Sequence, residues 1–351
     1  MKRLALAALI LIALIVPRAA QAQLEVSGRA ASLRIGGRAH FQHSASSLAS
    51  AENDFFLRRI RFTADITVND FVSARIQPDF AGGKTALQDT YLRLSFSSRL
   101  RFSIGQFKRA YDLFEMSSST DLSVIERDGR VEGLSHCAGV GSVCSYSRLT
   151  EALGFAGRDQ GVRLDGSSGR IGYQATITNG TGVNVADEND AKSFSGRVTV
   201  AASDGVRLSG QVALHDYVDT SDENRFARGW GADLEVGGWR DGLLLQGSVT
   251  GGDNWKLLNA GDEAARFMAA QVVVSYYHAL EGPRMAGIEP LLRFSIGDPD
   301  TAGEGNRGTL FTPGLMFYFE GKNKIGANLD VYSSQAGVSE LSLKVQTFLY
   351  F

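Results

Sequence analysis

Long apolar runs are missing from this sequence after its first residues. Nothing beyond Val16 approaches the roughly 20 apolar residues that cross a bilayer as a helix, so a helical membrane protein is excluded. Proline is scarce, six in 351 residues, and no Pro-rich or low-complexity linker divides the chain. Cysteine is scarcer still. Cys137 and Cys144 lie close together in a Gly/Ser-rich stretch, and beside His136 they make an incomplete set of zinc ligands. No metal and no cofactor are expected. The five histidines, His40, His43, His136, His215 and His278, sit in no recognisable catalytic context, and no Gly-x-Ser-x-Gly element occurs. No enzyme is expected, and no nucleic-acid partner.

What is present begins with a leader. Lys2 and Arg3 precede an apolar run from Leu4 to Val16, followed by Pro17 and the small-residue site Ala20-Gln21-Ala22. This is the pattern of a secretory signal peptide cleaved after Ala22, leaving residues 23–351 as one exported domain. In an exported chain, the expected use of Cys137 and Cys144 is a small loop-closing disulfide.

Forty glycines and well-spread aromatics suit one continuous sheet with many turns. The last eleven residues show the pattern most clearly. Leu341, Leu343, Val345, Thr347, Leu349 and Phe351 face one way, and Ser342, Lys344, Gln346, Phe348 and Tyr350 the other. Segments of the same period fall at 33–41, 57–68, 72–80, 87–96, 100–107, 160–166, 170–179, 193–201, 206–215, 229–236, 243–250, 266–278, 286–296, 309–319, 323–332 and 341–351, giving sixteen strands. Tight turns such as Asn69-Asp70-Phe71 and Ser97-Ser98-Arg99 alternate with longer connections at 42–56, 108–159, 180–192, 216–228, 251–265, 297–308 and 333–340. Charges keep to one face: Arg59, Arg61 and Asp65 oppose Ile60, Phe62, Ala64 and Ile66, and Lys324, Asn328 and Asp330 oppose Ile325, Ala327 and Leu329. Arg58 breaks this pattern and is assigned to the start of its strand. A charge at the lipid midplane costs about 2–4 kcal/mol, so such segregation predicts an all-β, transmembrane, antiparallel up-and-down barrel of about sixteen strands. Trp230, Tyr276, Tyr318 and Tyr332, near strand ends, are expected in the interfacial girdles.

A barrel of this size leaves an aqueous lumen. The longest connection, 108–159, carries aromatics, a hydroxyl run and paired charges, so it is expected to fold into the lumen after the fifth strand as its constriction, with Lys108, Arg109, Tyr111, Glu115, Glu126 and Arg127 there. Arg34, Arg38, Arg59, Arg61, Arg75, Arg93 and Arg101 form a basic lumen face, either recognising anions by paired hydrogen bonds or pairing with Asp65, Asp79, Asp89, Glu115 and Glu126 to brace the wall. Residues 23–130 hold fifteen Lys/Arg against twelve Asp/Glu, and residues 131–351 eighteen against twenty-six. Acidic residues gather in loops such as 187–190 and 222–223.

Phe56-Leu57-Arg58-Arg59-Ile60-Arg61, Asp89-Thr90-Tyr91-Leu92, Gly105-Gln106-Phe107-Lys108, Ser118-Ser119, Ile125-Glu126-Arg127, Arg158-Asp159-Gln160-Gly161-Val162 and Thr178-Asn179-Gly180 follow one another as in the phosphate-selective porin O and P family, which the first half of the chain resembles. The second half resembles it in strand pattern and terminal Phe alone. The resemblance implies a sixteen-stranded homotrimeric channel in the bacterial outer membrane, in contact with the lipid bilayer and lipopolysaccharide, passing small anionic solutes such as phosphate by passive diffusion. The family's ring of lysines is thin here, with few lysines beside Lys108 and Arg109. Acidic replacements at those two positions are expected to reverse an anion preference. The alternatives are a non-selective diffusion porin, including one suited to an oligosaccharide, a plugged structural barrel and an outer-membrane hydrolase.

Overall fold

The computed structural model describes residues 24–27, 32–51, 53–187, 189–258 and 263–351; the expected leader, residues 1–22, lies outside them. Sixteen long strands follow in order: β1 (Ser32–Ser46), β2 (Asp54–Thr67), β3 (Val72–Ile76, continued by Pro78–Asp79), β4 (Ala86–Leu87, continued by Thr90–Ser97), β5 (Leu100–Lys108), β6 (Arg158–Ser168), β7 (Ile171–Thr178) and β8 (Ser193–Ser203) make the first half. The second half is β9 (Val206–Val218), β10 (Asn224–Gly238), β11 (Asp241–Leu258), β12 (Ala264–Tyr276, continued by His278–Ala279), β13 (Gly287–Asp298), β14 (Gly308–Tyr318), β15 (Lys324–Ser334) and β16 (Ser339–Tyr350). Each pairs antiparallel with its neighbours in sequence. β16 then pairs with β1, from Arg38 opposite Tyr350 to Ser46 opposite Ser342, and the sheet closes. A short strand, Leu24–Ser27, pairs with Ser32–Ile35 on the same edge of β1, just beyond the point where Phe351 bonds Gly37.

The period-two pattern sorts the side chains as the alternation requires. Along β16, Leu341, Leu343 and Leu349 are 49%, 42% and 49% exposed on the outer face, while Ser342, Lys344 and Gln346 are buried on the inner one. In a bilayer that outer face would meet lipid, which keeps backbone polar groups paired only if the sheet has no edge. Several connections expected to be long are partly strand. β9 and β10 stay paired out to Val218 opposite Asn224, so their connection is only 219–223, and β11 runs on to Leu258.

Two local departures follow from strand parity. Trp230 and Tyr276 face outward, but Tyr318 and Tyr332 face inward and are buried, not in a girdle. Tyr332 is in phase with Asn328 and Asp330, and its hydroxyl accepts a bond from the Cys144 N–H at 3.2 Å; Tyr318 donates to the Glu289 carboxylate. Arg58 lies inside β2 rather than at its start. Across β1 and β2, His40 is opposite Arg59 and Phe41 opposite Leu57, so Arg58 is the extra residue of a β-bulge.

Candidate functional site

Residues 109–157, between β5 and β6, hold the two short helices α1 (Leu113–Met116) and α2 (Tyr146–Ala152). Each is capped by a side chain. Asp112, at φ +68°, accepts from the Phe114 and Glu115 N–H groups, and Ser145 accepts from the Arg148 N–H while its hydroxyl donates to the Asp128 carbonyl. Thr150 donates to Asp112 at 2.6 Å, tying α2 to α1. Between the helices, Phe114 meets Tyr146 edge-on and Tyr111 packs on Phe155, which stacks on Phe267 of β12.

This segment is tied to the polar face of the wall at β1, β8, β13 and β15. The Ala110 N–H donates to Ser195 of β8, the Tyr146 N–H to Ser295 of β13, and the Ile125 N–H to Asn328 of β15, at 2.7–2.9 Å. Lys324 donates to the Leu122 carbonyl, Arg293 to those of Glu126 and Arg127, and Arg38 to the Ser119 hydroxyl. A disulfide joins Cys137 to Cys144 with their Cα atoms 4.8 Å apart, and Arg148 of α2 donates to the Val140 and Gly141 carbonyls inside that ring.

Between β2 and this segment lies a chamber of about 220 Å³. The wall contributes Arg58, Arg59, Arg61 and Arg158, and the segment adds Arg127, Arg130 and Arg148 with the carboxylates of Glu115, Glu126, Asp128 and Glu151. Most of the arginines are paired. Arg58 grips Glu126 through two bonds, Nε at 2.6 Å and Nη2 at 3.0 Å; Arg61 pairs with Asp79 at 2.6 Å, Arg158 with Asp89 at 2.9 Å, and Arg127 with Glu115 at 3.4 Å. Burial opposes the charged form of Glu126, but Arg58, with Arg59 and Lys344 adding to it, outweighs that and holds the carboxyl down at about 2. Arg59 is different. It is buried and has no carboxylate within ion-pair distance among the described residues; Arg58, Arg61 and Arg127 crowd it, and Glu126 attracts it from beyond that distance.

Of the residues singled out in the sequence, Glu115, Glu126, Arg127, Arg59 and Arg61 meet at this chamber. Lys108 turns back on the segment, donating to the Glu115 and Ser117 carbonyls and pairing with Glu115 at 3.6 Å. Arg109 is covered on the far side of the segment, donating to the Gly154 carbonyl and to His215. Tyr111 is fully buried, its hydroxyl bonded to the Trp230 carbonyl at 2.8 Å, so it holds the segment to β10 and lines no opening. Arg75 pairs with Asp65, and Arg93 and Arg101 pair with Asp165. Arg34 is exposed on β1, with Asp65 as its cross-strand neighbour. Sequence reasoning did not place Arg58, Arg130, Arg148, Asp128 or Glu151 at the site. For Arg58 a signal existed: two adjacent arginines in an otherwise strict alternation mark a bulge.

A model of the phosphate-selective porin O and P family matches residues 33–257, well over half of the chain. The chain belongs to that family. No curated protein matches the sequence. Among solved structures, this porin resembles the outer membrane channel DcaP of Acinetobacter baumannii, with a TM-score of 0.63 and 11% identity over 93% of this chain and 99% of that one. The OmpF structure from Salmonella typhi, in complex with daunomycin, gives 0.63 at 13% identity over 93% and 100%. The anion-selective porin from Comamonas acidovorans gives 0.62 at 13% identity over 92% and 100%. At such identities the likeness is one of fold. Family and closed sixteen-strand barrel together make this protein an outer-membrane channel for small solutes.

Proposed function

We propose that this porin passes small anions in preference to cations, through a lumen narrowed by residues 109–157. The observation that carries the reading is the chamber between β2 and that segment, where seven arginines face four carboxylates and Arg59 forms no ion pair among the described residues. Selectivity follows the charges at the narrowest ring, and a guanidinium stays charged while offering a carboxylate or phosphate a two-pronged contact. The arginines paired with carboxylates are largely neutralised, so the preference rests on Arg59, with Arg148, whose acceptors are the neutral Val140 and Gly141 carbonyls, more than on Lys108 or Arg109. We further propose that the chain is exported by a leader cleaved after Ala22, meets lipopolysaccharide at its outer rim and assembles as a homotrimer. OmpT of Vibrio cholerae, which shares the fold, has been solved as a trimer.

The test is the reversal potential of single channels under a salt gradient. Wild type should reverse toward the anion potential and Arg59→Glu toward the cation potential, with phosphate lowering the wild-type current. An unchanged reversal potential in Arg59→Glu would remove the assigned role of this residue.

A further inference from the structure

On the far side of the segment from the bulged strand lies a larger cavity, of about 510 Å³. It shares Glu151, Gly157, Arg158 and Val183 with the arginine chamber, so the two are contiguous. A cavity of this size falls in the range that encloses a small organic ligand. Its lining differs in kind from that of the chamber.

One side is aromatic. Tyr217 of β9 stacks on Trp255 of β11 with ring centroids 4.9 Å apart and planes 22° from parallel, and His215 leans on Trp255 at 5.3 Å. The indole is fixed by its N–H, which donates to the Leu153 carbonyl at 3.0 Å, and Lys256 lies 5.0 Å over the ring. Polar lumen surface needs no such shelf to stay wet. The rest of the lining is rich in hydrogen-bonding groups of balanced charge: Arg109, Arg158 and Lys256 against Glu151, Asp159 and Asp216. Two nitrogens of the buried Arg109, Nε and Nη2, find no acceptor among the described residues.

We infer that this cavity is a binding site for a neutral saccharide. A pyranose has one face of C–H bonds that lies on an aromatic ring and a rim of hydroxyls that both donate and accept. The face of Tyr217 turned away from Trp255, beside mixed cations and carboxylates, answers both halves of that chemistry. A simple inorganic anion would gain nothing from the rings and would meet three carboxylates. The inference rests on the channel, not on its anion preference: the solute would be held at the shelf beside the arginine chamber.

The experiment compares block of the ion current by maltose and sucrose with that by glycerol, in wild type, Tyr217→Ala and Trp255→Phe, and measures maltose binding to the purified barrel by saturation-transfer NMR. At least one disaccharide should half-block at a concentration about tenfold below glycerol, and Tyr217→Ala should erase about that factor while chloride conductance stays within about twofold. Trp255→Phe keeps a ring at the shelf and should lose less. Disaccharides no better than glycerol, or a block untouched by Tyr217→Ala, would overturn the inference. Block by phosphate that Tyr217→Ala abolishes would make the cavity an anion site instead. Failure of the channel reading would look different, with no current steps in wild type, and maltose contact seen by NMR would still decide the site.

Discussion

A carboxylate taken out of water needs a cation within reach, and for Glu126 that cation is a residue the strand makes room for by bulging. Arg58 is 31% exposed and Glu126 6%, so removing the arginine leaves an acid that is nearly dry. Breaking a fully buried pair costs about 3–5 kcal/mol, and the partial exposure of Arg58 brings the expected loss for Arg58→Gln to about 2 kcal/mol. The readout is a lower temperature for the heat-induced gel shift, with noisier open-channel current as residues 126–130 loosen. The exchanged pair Arg58→Glu with Glu126→Arg should recover much of both. Glu151 poses the opposite case. Its side chain opens to the chamber, yet the wall and segment around it thin the water beside it and, with Asp128 and Glu115 adding to that, push its carboxyl up to about 7. Below that pH it takes a proton and the chamber loses a negative charge, so the ratio of anion to cation permeability should rise between pH 9 and pH 5. A ratio flat across that range would show that Glu151 does not face the ion path. At this scale, residue type and parity revealed the acids and most wall arginines. They could not reveal which side of the segment Arg109 would occupy, because that depends on a turn at Gly157 whose carbonyl accepts the Arg109 N–H.

Among elements, the strands were the most legible because a wall between lipid and water imposes one alternation on every one of them. Their outer ends were less so, since strand continuing beyond the bilayer reads like loop: β10 and β11 extend well past the segments 229–236 and 243–250. The segment 109–157 showed its large apolar residues in sequence but not its two helices, which are too short to leave a periodic trace. Its size against a lumen of sixteen strands gives a further expectation. Replacing residues 112–155 with a short Gly-Ser turn should leave a folded barrel, because β5 and β6 pair directly from Lys108 opposite Arg158 to Arg101 opposite Asp165. Single-channel conductance should then rise several-fold and ion selectivity should fall. A conductance no greater than wild type would place the narrowest point elsewhere.

For the whole molecule, composition was a poor guide and topology a good one. The formal net charge of −2 hides a basic first part and an acidic remainder, and the arginine chamber draws its wall residues mainly from β2. The seam of the barrel is β1 against β16, extended by Leu24–Ser27 beyond Phe351. Removing residues 339–351 should therefore abolish the heat-modifiable folded form altogether rather than weaken it, since β15 and β1 would both be left as open edges in lipid. A folded band from that truncation would show that β1 can close on β15.

Gly37 lies at this seam. A Cβ there would come within 2.3 Å of the Phe351 ring, which packs edge-on against Phe62. β1 and β16 are thus fitted to each other at a spot with no room to spare. A ribosome delivers them about three hundred residues apart, so for the whole interval of synthesis and export the early strands have no finishing partner. A wall that can be sealed only by its final course must be kept from setting until then, and the timing of insertion is written into where the seam lies.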